Sequence, residues 1–489
     1  MTISLKKRES KDVITGNKIV FILLGLNGPI SHFSYELSQI ASLSTKKIDI
    51  VLVDSKKVLK EDLVCEKFIH ADIGLSKSEV TQQRCSSAFD LNIDVLDEKI
   101  DSKEELLNIL AERMGYYPIV ISDGSALNTA YSKYLFEKVA DITTLNVSLV
   151  NNMPTIDLRL KNSGTQQIGS KYCLVSDDYI PNNKKINVEL SKILFLYTDD
   201  ILCDRGVTTW RTSYNDRTKS NISTYINNDM TISPSEENYV DFIKPNTGNE
   251  VLIILIGVGG TGASVAYDIA HKSSILDKKI KLIFIDGDIV EAKNLNRQRF
   301  ILQDLGDFKA KVTAERCSKA YNIDVEHRCE YIEDTNYIHE ILTSNKDYYP
   351  IILGCSDSLK LRHLVCLAIK EFVEKEDTSK NIVYIDAGND ENAGQVLCTY
   401  VENNKYITPD FFDEFPNDLE DIANAKLVTQ MSCDELMSSA PQTKGANISA
   451  ATGVFSYLDD ILSSNKIFTY ITQFSNKNKI QISKKITCK

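Results

Sequence analysis

Gly257-Val-Gly259-Gly260-Thr-Gly262 follows the apolar run VLIILI (251–256) and precedes the helical pattern ASVAYDIA. Between a strand and a helix, such glycines let backbone amides close on a phosphate, and the helix N-terminus favours the anion. Asp286 ends the next apolar run, where a carboxylate can accept both ribose hydroxyls. These residues alone fit an NAD-binding dehydrogenase, and a ligand-free glycine turn is the plainer alternative. The residues that follow tilt the chemistry elsewhere. Asp286-Gly-Asp288 leads to Asn294-Leu-Asn-Arg297-Gln298, then to Asp304-Leu-Gly306-Asp-Phe-Lys309. Hydride transfer has little use for an arginine, a lysine and an amide converging on phosphates. Cleavage of ATP between its α- and β-phosphates does, because charge builds on the departing pyrophosphate. Asp357, in IILGCSDSLKLR, lies just past a further predicted strand, on the side where open α/β sheets bind ligands. A carboxylate there is placed to hold Mg²⁺.

A thiol adds a second kind of chemistry. Met431-Ser432-Cys433-Asp434-Glu435-Leu436 precedes Pro441-Gln442-Thr443 and Asn447. If Asp434 to Leu436 open a helix, the Cys433 sulfur sits at its N-terminus, where the dipole lowers a thiol's pKa and favours attack. The plainer reading is a buried packing cysteine. Cys355 and Cys398 fall in predicted strands and are expected in the core.

The elements that must position these residues read as a βαβ series. Strands are predicted near 251–256, 281–285, 325–331, 350–354, 381–386 and 394–401. Helices are predicted near 261–272, 308–321, 335–344, 358–374 and 444–463, with IFTYITQF and KIQISKK as two closing strands. The acid- and Asn-rich stretch 402–430 reads as a crossover loop. The same series occurs earlier in the chain. Gly25, Asp54, Gly74, Lys77 and Tyr116 stand 232 residues before Gly257, Asp286, Gly306, Lys309 and Tyr348. A constant offset over so many landmarks indicates duplication of a whole domain. The polar segment 229–250 reads as the linker between a domain at 1–228 and another at 251–489. Two such copies are expected to pack as a homodimer would.

The first copy departs where the chemistry lies. Its turn reads Gly25-Leu-Asn-Gly28-Pro29, Lys56 stands opposite Asp288, and Asp62 and Cys65 stand opposite Asn294 and Arg297. Acids and a proline at the phosphate positions argue against nucleotide binding there, with Asp54 and Lys77 left as structural remnants. Cys203-Asp204 reads as the echo of Cys433-Asp434, and Lys219-Ser-Asn221 as that of Lys444-Gly-Ala-Asn447.

Composition bounds the rest. A chain of 489 residues, 43% apolar and 25% charged, supports two full cores without metals or disulfides. The formal charge of −12 argues against nucleic acid as the main partner. Eleven scattered cysteines without a CxxC pair fit reduced thiols in the cytoplasm rather than a zinc ribbon. The apolar runs at 19–26 and 251–258 are far short of a membrane span, and no secretory leader precedes the first.

In the GxGGxG, DxD, NLxRQ and GxxK elements, with IDAGNDENAGQV at 385–396, the chain resembles the ThiF, MoeB and ubiquitin-activating superfamily. The resemblance covers most of 250–465. It implies two tandem Rossmann-like domains with parallel-dominated sheets, packed as a pseudo-dimer of one inactive and one active adenylation domain. It also implies ATP and Mg²⁺ as ligands. Gly257, Gly259, Gly260 and Gly262 would form the cradle, Asp286 would hold the ribose, Asp288 would belong to the same nucleotide site, and Asn294, Arg297 and Lys309 would hold the triphosphate. Gln298 would support them, with Lys311 a substitute for Lys309, and Asp357 would ligate the metal. Cys433 resembles the catalytic cysteine of thioester-forming activating enzymes. The implied partners are a ubiquitin-like protein, adenylated at its C-terminal glycine, and a conjugating enzyme. The compact form is similar to bacterial activating enzymes of antiphage operons. Arg8 is the candidate for the arginine that the inactive copy lends in that family. A sulfur-carrier adenylyltransferase and a non-catalytic ubiquitin-like-binding scaffold stay open beside this reading.

Overall fold

The computed structural model describes residues 15–97, 100, 102–150, 153–161, 168–169, 183–203, 211–216, 218–224, 242–374, 380–418, 422, 442–477 and 479–486. Cys433, Arg8 and most of the 229–250 linker lie outside the described residues. The chain divides into two compact units, one of residues 1–216, 220–236 and 478–480, the other of 217–219, 237–477 and 481–489.

Unit 1 runs β1 (Lys18–Leu24), α1 (Pro29–Leu43), β2 (Lys47–Val53), α2 (Asp62–Cys65), α3 (Lys77–Phe89), β3 (Ile93–Leu96), α4 (Lys103–Ala111), β4 (Tyr117–Ser122) and α5 (Ala126–Lys138). It continues with β5 (Ile142–Val150), β6 (Met153–Lys161), β7 (Ile168–Gly169), α6 (Lys184–Leu202), β8 (Arg211–Asn215) and β9 (Ser220–Thr224). Its sheet order is β3-β2-β1-β4-β5, all parallel, extended antiparallel by β6, β8 and β9. Right-handed βαβ crossovers make this order the Rossmann one.

Unit 2 repeats it. The elements are β10 (Glu250–Ile256), α7 (Gly260–Ile275), β11 (Lys279–Ile285), α8 (Lys309–Tyr321), β12 (Val325–Arg328), α9 (Thr335–Ser344), β13 (Tyr349–Gly354) and α10 (Leu359–Glu374). After them come β14 (Ile382–Asn389), β15 (Ala393–Glu402), β16 (Lys405–Tyr406), α11 (Phe411–Glu414), α12 (Lys444–Asp459), β17 (Thr469–Ser475) and β18 (Ile480–Lys485). The parallel order is β12-β11-β10-β13-β14, with β15 and then β17 added antiparallel. The central β10 is a continuous apolar run because both its faces are covered, as parallel strands require. On one face Leu252, Ile254 and Ile256 pack with Ile338, Ile341 and Leu342 of α9 and Val365 and Ile369 of α10.

The repeat is closer than its sequence. Gly25 and Gly257 share φ values of 81° and 85°, Gly74 and Gly306 of 87° and 88°. Asp90 and Asn322 end α3 and α8 in the same left-handed cap at φ 53°. Arg84 bonds Asp72 at 2.7 Å, and Arg316 bonds Asp304 at 2.5 Å. The offset, however, is not constant. It is 232 residues through β4 and β13, 240 at β5 and β14, and 260 at α6 and α12. The added residues lie mostly between β15 and α12, the crossover of unit 2.

That shift corrects the expected echoes. The counterpart of Asn447 is Asn187, on α6, and that of Lys444 is Lys184; neither belongs to the Lys219 segment. Cys203 caps the C-terminus of α6, whereas Cys433 precedes α12 in sequence, so the two cysteines are not equivalent. Lys219 instead answers Lys479. Within unit 2 the Lys219 ammonium pairs with Asp460 and lies 5.0 Å from the Tyr457 ring centroid. Within unit 1 Lys479 pairs with Asp200 and lies 5.0 Å from the Tyr197 ring centroid. The likeness of Lys219-Ser-Asn221 to Lys444-Gly-Ala-Asn447 is one of sequence alone, since short polar motifs recur by chance.

Candidate functional site

Three loops of unit 2 meet where the central parallel strands end. Ile256 is in register with Ile285 on one side and Gly354 on the other, so the turns after β10, β11 and β13 emerge side by side. Backbone bonds lock their roots: Gly257 N donates to Ile285 O at 2.9 Å, and Cys355 N donates to Ile256 O at 2.8 Å. Gly257 is left-handed at φ 85°, and a Cβ there would also meet the Cys355–Ser356 peptide at 3.0 Å. Gly262 approaches so closely that its Cβ would lie 1.8 Å from Gly257 O.

Asp286 is fixed from below. Its carboxylate accepts Val258 N at 2.6 Å and Asp288 N at 2.8 Å. Burial, only partly offset by the Lys309 ammonium, pushes its pKa up to about 6. Asp288 behaves oppositely. Burial would raise it, but Lys309 Nζ at 2.7 Å and the Tyr331 hydroxyl at 2.6 Å hold it below the usual carboxylate range. Lys309 is buried at the start of α8 while Lys311 is exposed, so Lys309 is the lysine that faces the loops.

The 291–298 turn brings the remaining polar groups. Asn294 Oδ1 accepts Glu291 N at 2.8 Å, and Gln298 N donates to Asn294 O at 2.8 Å, which folds the segment over the glycine loop. Gln298 Nε2 would lie 3.8 Å from a Cβ on Gly259. Arg297 is half-buried, and its guanidinium has no ion-pair partner among the described residues. Gly257, Gly259, Gly260, Gly262, Asp286, Asp288, Asn294, Arg297, Gln298 and Lys309 thus converge on one strand end. Asp357 stands exposed in the neighbouring turn, and among the described residues no cluster of three metal-ligand side chains occurs.

Residues outside the predicted set hold this arrangement. Asn447, fully buried on α12, donates through Nδ2 to Arg297 O at 3.4 Å. Its Oδ1 accepts Asn389 Nδ2 at 3.1 Å and the Thr261 hydroxyl at 3.4 Å. Gln442 Nε2 donates to Asn389 O at 3.0 Å, and Thr443 caps α12. One amide therefore ties α7, the end of β14, the arginine turn and α12 together. Unit 1 keeps the equivalent contact, Asn187 Nδ2 to Cys65 O at 3.0 Å, where cysteine stands in place of arginine. Below the Asp357 turn, Arg362 Nε donates to Asp386 at 2.6 Å, and its Nη2 reaches Ser356 O and Ala387 O at 3.4 and 3.3 Å. The sequence signal for this pair is an acid inside the otherwise apolar strand IVYIDAGN. Cys355 and Cys398 are buried; burial drives the Cys355 thiol well above its ordinary value and pushes Cys398 up to about 12.

Comparison with curated proteins gives no match. Among solved structures, the chain is similar to E. coli MccB with AMPCPP and selenomethionine MccA, at 16% identity and a TM-score of 0.35, over 49% of this chain and 65% of that one. It is similar to E. coli MccB with ATP at 16% and 0.35, over 48% and 64%, and to selenomethionine PaaA at 16% and 0.35, over 49% and 64%. The chain spans less than two thirds of the length of each of these. Residues 248–486, which take in every element of the site, match the ThiF family, and the chain carries a ThiF-family domain in its second half.

Proposed function

We propose that unit 2 adenylates a substrate carboxylate with ATP, and that unit 1 is an inactive copy. The observation that carries the reading is the convergence of a buried lysine, an arginine without an ion-pair partner among the described residues and a backbone-held aspartate on a glycine loop at the sheet's ligand-binding end. Asp286 accepts the ribose hydroxyls. Lys309 and Arg297 balance the charge that builds on pyrophosphate, with Asn294 and Gln298 setting the turn that aims the arginine. Asp357 is the residue that would hold Mg²⁺, and the ion would supply charge neutralisation at the phosphates. The substrate oxygen bonds to the α-phosphorus, the bridge to the β-phosphorus breaks, and pyrophosphate leaves. The protein contributes positioning and charge stabilisation.

The carboxylate we assign is the C-terminal glycine of a ubiquitin-like protein, with a thioester then formed on Cys433. The thiolate attacks the acyl carbon, AMP departs, and the acyl group passes to a conjugating enzyme, in the setting of a bacterial antiphage system. The test is ATP–pyrophosphate exchange with the ubiquitin-like partner. Arg297→Ala and Asp357→Ala abolish exchange with the fold intact. Cys433→Ala retains exchange and loses a reductant-cleavable adduct. A thioester surviving in Cys433→Ala removes that cysteine from the role, and wild-type exchange without any adduct moves the reading to sulfur-carrier adenylation. Binding of the partner with no exchange at all leaves only a scaffold.

A further inference from the structure

Unit 1 keeps an anion cradle, and its own acid fills it. Glu66 is 3% exposed; one carboxylate oxygen accepts Gly28 N, at the start of α1, at 3.1 Å. Its other oxygen accepts Lys77 Nζ at 2.7 Å. The Lys77 ammonium, 2% exposed, completes its three donors on Asn27 Oδ1 at 2.8 Å and Asp62 at 3.0 Å. A helix-start amide and a buried ammonium sharing one anion is the donor set that receives phosphate at helix N-termini. Here the anion is tethered to the chain.

The counterparts of the two acids in unit 2 differ from them in charge alone, while Asn27 answers Gly259 and Pro29 answers Thr261. At the 232-residue offset Glu66 answers Gln298, Asp62 answers Asn294, Gly28 answers Gly260 and Lys77 answers Lys309. Both acids of unit 1 are amides in unit 2. Lys309 accordingly turns outward to Asp288, whose counterpart is Lys56. Both lysines start the helix after the same left-handed glycine, and the acid that each one meets is what changed.

We propose that unit 1 holds an anion site whose ligand is the Glu66 carboxylate, and that Glu66 and Asp62, rather than lost backbone geometry, close it to phosphate. It follows that exchanging these acids for the amides of unit 2 opens the site to a phosphate-bearing ligand. The inference rests on the assignment of unit 1 as inactive but not on catalysis in unit 2.

The experiment uses the full chain carrying Lys309→Ala, so that unit 2 contributes no binding, with inorganic pyrophosphate as the probe in calorimetry. Glu66→Gln leaves Lys77 paired to Asp62 and Asn27 and so preserves the fold; Asp62→Asn with Glu66→Gln installs both amides of unit 2. The parent binds no pyrophosphate, while the Glu66→Gln chain, the doubly exchanged chain or both gain one site at least tenfold tighter than any residual parent binding, abolished by Lys77→Met. Folded Glu66→Gln that binds nothing, with the double exchange also silent or unfolded, overturns the proposal. So does pyrophosphate binding to unit 1 with Glu66 in place. Loss of exchange in unit 2 variants leaves this result untouched, so the two readings fail separately.

Discussion

Asp286 carries the sharpest conflict between folding and binding. Its carboxylate is held by two backbone amides, yet burial lifts its pKa to about 6. An acid whose folded pKa is raised binds more protons in the native state, so its contribution to stability falls as pH rises from the ordinary carboxylate range to about 6. Accepting ribose hydroxyls needs the ionised form, so nucleotide affinity should rise through that same window. Affinity for a nonhydrolysable ATP analogue is expected to drop about tenfold from pH 7 to pH 5, and Asp286→Asn should be weak and flat with pH. An unchanged pH slope in the variant would remove Asp286 from the ribose. At this scale the sequence was most legible where chemistry is local. The glycine loop, Asp286-Gly-Asp288 and the 294–298 turn lie in three short runs. Asn447, whose partners lie 58 and 150 residues away, and Arg362, 24 residues from Asp386, could not be placed without the fold.

Among the elements, the packing of α12 on α7 decides whether the glycine loop keeps its shape. Gly260 opens α7 directly beneath Asn447, and a Cβ there would lie 2.1 Å from Asn447 Nδ2. Gly260→Ala should therefore destabilise by about 1–3 kcal/mol through overpacking. Asn447→Ala should cost a similar amount by leaving Asn389 and the Arg297 carbonyl short of a partner. The two together should cost less than their sum, because removing the amide clears the space that the new methyl needs. Denaturant melts of the four proteins check this, and strict additivity would mean that the two helices do not meet through this pair. Strand and helix periodicity made these elements legible to within a few residues, since a doubly covered strand and an amphipathic helix each advertise their environment locally. The change of offset from 232 to 260 was not legible, because an insertion in a polar crossover leaves no periodic trace.

At the scale of the whole molecule, two units with one topology have parted in charge. Unit 1 surrounds its lysine with fixed acids and has a cysteine at the position of the arginine. Unit 2 has amides and an arginine there, and its fixed acids lie on the neighbouring loop. Backbone geometry alone would favour two nucleotides per chain, since both units keep the left-handed glycine, the strand-end aspartate and the lysine. Electrostatics decides otherwise, because a triphosphate entering unit 1 would have to displace Glu66 and meet Asp62. Titration of the full chain with a nonhydrolysable ATP analogue is therefore expected to give one site. Arg297→Ala should weaken that site by roughly 10- to 100-fold, the loss of one charge-assisted contact, while Cys65→Arg in unit 1 should add none, since the two acids remain. Two equivalent sites in the wild type would mean that the shared backbone outweighs the acids.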